Sequence, residues 1–147
     1  MNTANPEMQT VAHILANCRT VAVVGLSPKT HRDSFRVSQY MQAQGWRVVP
    51  VNPVVAASGE RILGEKVYAT LTAAAGAEAI DLVNVFRNSA DVPPIVDEAI
   101  ALKLPALWLQ LGVQHDDALA KARAAGIHAV QDRCLMVDHA RSASQRG

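Results

Sequence analysis

The sequence predicts an α/β protein: a five-stranded, mostly parallel sheet covered by helices on both faces, a doubly wound three-layer sandwich. Three observations predict it. Apolar runs of strand length at 20–24, 46–51, 80–86 and 106–111 carry many β-branched residues and little polar alternation, as strands buried on both faces do. Between them, apolar residues recur at helical spacing, and Gly45 and Gly126 stand where helices end. Strands that alternate with helices imply parallel βαβ units with right-handed crossovers.

Composition narrows the class. At 147 residues the chain has the length of one domain, and 1–147 is read as a single unit. It is 50% apolar and 18% charged with a net charge of +1, which excludes disorder and a general nucleic-acid field, so any positive potential must be local. No apolar run approaches the roughly 18 residues of a membrane span, and the opening MNTANPEMQT lacks the basic and hydrophobic regions of a leader. No membrane contact and a cytoplasmic location are therefore expected. Cys18 and Cys134 lie far apart without a CxxC or zinc-ligand spacing, and read as free thiols in a reducing compartment.

Taken in order, a helix follows Pro6, with Met8, Val11, Ala12 and Leu15 on one face, and should pack on the sheet edge. The first strand, TVAVV, ends at Gly25, and a second helix runs from about Ser34 to Gly45. The second strand, 46–51, stops at Asn52-Pro53, since proline cannot donate to a ladder. Residues 54–70 read as a long irregular loop before an Ala-rich helix at 71–75. The third strand, 80–86, leads into Arg87-Asn88-Ser89 and the clearest helical stripe: Val92, Ile95, Val96, Ala99 and Ile100, with Ser89 or Asp91 as cap and prolines 93 and 94 in a tolerant first turn. The fourth strand, 106–111, ends at Gly112. A helix over 115–125, a fifth strand at 127–130 and a short last helix after Asp132-Arg133-Cys134 complete the chain.

Function is expected at the carboxyl ends of these strands, where open α/β sheets bind ligands. The loop after the first strand, Gly25-Leu26-Ser27-Pro28-Lys29-Thr30-His31-Arg32-Asp33-Ser34, is polar and basic and opens a helix, whose free N–H groups and positive dipole end suit phosphate. It keeps the first glycine of the dinucleotide fingerprint G-x-G-x-x-G and neither of the others, and it lacks Walker spacing. The second strand ends in Asn52, not in the Asp or Glu that would take an NAD ribose. A nucleotide with extra phosphate, met by Lys29, Arg32, Arg36 and Arg87, fits better. An NAD-binding redox sensor or small oxidoreductase is the alternative, supported by fold class alone.

The blocks TVAVVGLSPK with RDSFRV, then VVPVNP, ILGEKVYATL, DLVNVFR, WLQLGV and DRCLMVD, over roughly residues 8–138, resemble the small stand-alone CoA-binding proteins. That family is similar to the CoA-binding N-terminal domain of the succinyl-CoA synthetase alpha subunit. The resemblance implies a Rossmann-like fold whose ligand is coenzyme A (CoA) or an acyl-CoA. It implies that Gly25, Ser27, Lys29, Arg32 and Ser34 hold phosphates and that Asn52 and Pro53 lie against the nucleotide. Val85, Phe86 and Arg87 would wall the adenine and a phosphate, and Gln110, Leu111 and Gly112 would stand near the departing pantetheine arm. The synthetase's ligase activity does not carry over, because its phosphorylated histidine and grasping partner subunit have no counterpart in so short a chain.

No catalytic and no metal-binding residue is assigned. GxSxG is absent. Cys134, beside Arg133, offers a further alternative, thioester or disulfide chemistry with CoA. His13 and His128 read as surface or packing residues, His31 as a solvated loop residue, and Asp116 with Asp117 as a helix N-terminus. The sheet edge and the N-terminal helix are the surfaces through which a homodimer or a protein partner could form.

Overall fold

The computed structural model describes residues 5–146; residues 1–4, part of the segment read for leader features, and Gly147 lie outside the described residues. The elements are α1 (Pro6–Asn17), β1 (Thr20–Val24), α2 (Asp33–Ala43), β2 (Arg47–Val51), α3 (Pro53–Ser58), α4 (Leu71–Ala77), β3 (Leu82–Val85), α5 (Val92–Ala101), β4 (Ala106–Gln110), α6 (Asp116–Ala124), β5 (His128–Arg133) and α7 (Leu135–Arg146). The five strands lie in the order β2-β1-β3-β4-β5 and every pairing is parallel, so the expected sheet is parallel throughout.

Strand pleating divides the interior into two cores. Ala22, Val24, Val83, Val85, Leu107 and Leu109 face α4, α5 and α6, while Val21, Val23, Leu82, Ala106, Trp108 and Val130 face α1, α2, α3 and α7. Both faces are buried, which is why the strands carry apolar residues at successive positions. α1 packs on the edge strand β5 as expected. Trp46 and Trp108 are core residues, and the Trp108 indole donates to the Arg133 carbonyl at 2.9 Å, which satisfies its one polar atom.

The structure corrects the sequence reading in three places. The stretch after Asn52 begins with a helix, α3: the Asn52 carboxamide oxygen accepts from the N–H groups of Val54 and Val55, Pro53 occupies the first turn and Gly59 ends it with φ 77°. β5 runs past Val130 to Arg133 through an irregularity at which Asp132 adopts φ 56°. The last helix spans 12 residues, and it is pinned where Arg133 binds Asp138 at 2.7 Å and Glu7 of α1 at 2.6 Å.

The remaining edge is also covered. Tyr68 donates to the Pro50 carbonyl and accepts from Asn52 N–H, both at 2.9 Å, so the 60s segment lies along β2. Arg47 fixes it there through Glu65 at 2.8 Å and also binds Glu78, at the end of α4, at 2.8 Å.

Between α1 and β1, Cys18 is 4% exposed. Burial, helped by the Asp81 charge and opposed by Arg19, pushes its thiol up from near 9 to about 11. The folded state therefore holds this proton more tightly than the unfolded chain does. The resulting stability is complete below about pH 9 and is lost as pH rises to about 11. Urea titrations at pH values from about 8 to 11 should show a smaller alkaline loss for Cys18→Ala than for the wild type. Equal losses would assign alkaline destabilisation to other groups.

Candidate anion-binding site

The strand order reverses at β1, with β2 on one side and β3 on the other. At its end, Gly25 N–H donates to the Val51 carbonyl and Phe86 N–H to the Val24 carbonyl, both at 2.9 Å. Gly25 sits at φ 91°, and a Cβ there would lie 2.3 Å from the Phe86 carbonyl oxygen. The residue must be glycine for conformation and for space alike. Past this contact the β1–α2 and β3–α5 connections separate, and the crevice between them is a cleft of about 540 Å³.

The first connection is shaped by its own hydroxyls. Ser34, 6% exposed at the start of α2, accepts from Ser27 N–H at 3.0 Å; Ser27 Oγ in turn accepts from Lys29 N–H at 3.1 Å. Arg32 N–H closes the turn on the Lys29 carbonyl at 3.1 Å. Arg32 is the N-cap of α2 and gives no side-chain cap, so the first-turn N–H groups are left to solvent or a ligand at the dipole's positive end. The second connection presents Phe86, Arg87 and Asn88, with Val113 from beyond β4.

Charge in the cleft is mixed. Among the described residues Lys29 and Arg32 have no ion-pair partner. Arg87 reaches Asp91 at 3.3 Å, and Arg36 pairs with Asp33. All of these groups are largely exposed, so the pairs are weak in themselves and open to exchange.

Of the residues singled out from the sequence, Gly25, Ser27, Lys29, Arg32, Ser34, Phe86 and Arg87 line this cleft. Val85 does not: its side chain is fully buried in the α4–α6 core. Asn52 stands behind the loop, capping α3 and donating to the Leu26 carbonyl at 3.0 Å, and Pro53 is in the first turn of α3. Gln110 is 4% exposed and lines an adjoining second cleft, and Gly112 N–H donates to Asp132 at 2.8 Å. His31 is exposed and outside the lining. Asp33, Asn88, Asp91 and Val113 line the cleft without having been picked out. Position after a strand end was the available signal for Asn88 and Val113, while two acids in an anion site run against charge logic.

The second cleft, about 230 Å³, shares Asp33 and Phe86 with the first and is lined by Val37, Leu111, Cys134 and Met136 among others. Cys134 is half-buried there. The Arg133 guanidinium beside it in sequence is engaged by Asp138 and Glu7.

The Gly25 contact can be tested against a glycine that shares its conformation and not its crowding. Gly45 has φ 90° and open space where a Cβ would go. Gly45→Ala should cost about 1 kcal/mol and Gly25→Ala about 3 kcal/mol or more, measured by urea unfolding. Equal costs would mean that the close approach to Phe86 contributes nothing.

Comparisons with known proteins bear on the family and the fold. The family model described as CoA binding domain matches residues 19–140. The uncharacterized protein YneT of Bacillus subtilis (strain 168) is 35% identical over 136 residues, which is 92% of this chain and 96% of that protein. Among solved structures, cell-free ID.343 from Thermus thermophilus is 36% identical with a TM-score of 0.81, over 96% of this chain and 98% of the other. A hypothetical protein from Pyrococcus horikoshii OT3 is 30% identical, again with a TM-score of 0.81, over 96% and 98%. With the family model covering most of its length and its Rossmann-like sheet shared by these relatives, the chain belongs to the CoA-binding domain family.

Proposed function

We propose that this protein binds coenzyme A or an acyl-CoA in the cleft at the carboxyl ends of β1 and β3, acting in the cytoplasm as a binding, carrier or sensor module that performs no chemistry itself. The observation that carries the reading is the pair Lys29 and Arg32, without ion-pair partners among the described residues, beside the start of α2, which has no side-chain cap, at the point where strand order reverses. Free cations and N–H groups on one loop suit several phosphates. The ring of Phe86 at the facing strand end suits a base. The dinucleotide alternative lacks its acidic residue, since β2 ends at Val51-Asn52 and Asn52 is spent on α3 and Leu26.

One observation favours a second reading, CoA thioester or disulfide chemistry through Cys134: that side chain lies in the wall of the adjoining cleft. Such chemistry would vanish in Cys134→Ala while CoA binding persisted.

Calorimetric titration with CoA, dephospho-CoA and NAD in parallel tests the main reading. CoA should bind more tightly than dephospho-CoA. Lys29→Ala should weaken CoA about tenfold, the loss of one charge-assisted contact. Equal affinity for CoA and dephospho-CoA would remove the assignment of cations to the extra phosphate. Binding of NAD alone would remove the CoA reading.

A further inference from the structure

The cation-lined cleft continues past Phe86. The ring and Asp33 also belong to the second cleft, where Arg36 pairs with Asp33 at the shared end and the remaining wall is mostly apolar: Val37 of α2, Leu111 after β4, and Met136 and Val137 of α7. Two of these are exposed apolar side chains, Leu111 at 67% and Val137 at 39%. One exposed leucine is ordinary on a protein surface. Two exposed apolar residues lining a single concavity, next to Met136 and an aromatic ring, form a surface that an apolar group would cover with gain.

Given the CoA reading above, on which this inference rests, anchoring the phosphates at Lys29, Arg32 and Arg87 leaves the ligand's uncharged arm free to enter the second cleft, which adjoins the first at Asp33 and Phe86. We propose that the second cleft holds the acylated end of a CoA thioester, and that the protein prefers thioesters of short apolar acyl groups to free CoA. Size sets the limit. At about 30 Å³ for each water-sized group, a volume of about 230 Å³ admits about eight such groups. That accommodates a thioester and roughly six acyl carbons, and leaves a long fatty chain in water.

The test is calorimetric titration with free CoA and with acetyl-, butyryl-, hexanoyl- and lauroyl-CoA, each thioester's affinity expressed relative to free CoA in the same protein. The ratio should rise about twofold per added methylene, as for half-buried CH₂ groups, giving tenfold or more between acetyl and hexanoyl, and should level off by lauroyl. In the double variant Leu111→Ser with Val137→Ser, two surface positions whose replacement leaves the core intact, the rise should shrink to within about twofold. Ratios that stay flat or fall from acetyl to hexanoyl while CoA still binds would overturn the inference alone, as would a rise undiminished in the double variant. Failure of free CoA and of every thioester to bind would overturn the underlying reading and this inference with it.

Discussion

Everything at the functional end of this fold depends on the approach of two backbones: Gly25 against the Phe86 carbonyl. β1 is hydrogen-bonded on both sides, and its last ladder contacts go to Val51 on the left and Phe86 on the right. A side chain at residue 25 would force β3 away from β1 at the place where the two following connections must part. The crevice is thus a consequence of topology, because α2 leaves β1 toward one face and α5 leaves β3 toward the other. Glycine lets that divergence begin immediately at the strand ends, so that the loop cations and Phe86 face one space.

The loop is held from two directions. From within, Ser27 and Ser34 accept backbone N–H groups and fix the turn. From behind, Asn52 couples the Leu26 carbonyl to the start of α3, so a single carboxamide joins the β1–α2 loop to the end of β2. The serine oxygens are occupied as acceptors, and what they keep for a ligand is their O–H groups. Shape here comes from neutral hydrogen bonds, while charge is left to Lys29 and Arg32, whose side chains extend from the scaffold without taking part in it. The backbone is thus ordered in advance of any ligand, and the ordering cost of binding falls on the two exposed cationic side chains.

The sequence made the sheet legible because strands buried on both faces carry a signal of their own, short continuous apolar runs closed by glycine or a polar residue. It made the first loop legible too, since Gly25, Ser27, Lys29, Arg32 and Ser34 lie on one short connection and all reach the cleft. What sequence order could not convey was depth. Asn52, Gln110 and Gly112 follow strand ends as faithfully as Arg87 does, yet their bonding partners turn them to α3, Leu135 and Asp132. Val85 stands one residue from Phe86, and pleating alone sends it to the opposite core. α3 was hidden because Asn-Pro ends a strand and caps a helix with the same two residues, and six residues are too few for periodicity to decide.

The acids in the cleft explain how a cationic site can belong to a protein with a net charge of only +1. Asp33 and Asp91 each lie one helical turn from an arginine, Arg36 and Arg87, at the beginning of α2 and α5. A phosphate in this cleft would compete with Asp91 for Arg87, while among the described residues Lys29 and Arg32 have no carboxylate partner. A single phosphate gains little from such exchange, because one weak exposed pair is traded for another and a repulsion is added. On the proposed reading, a ligand with several phosphates can engage Lys29 and Arg32 first and recruit Arg87 afterwards. On that reading, this balance of charges would favour a ligand with several phosphates over a small anion.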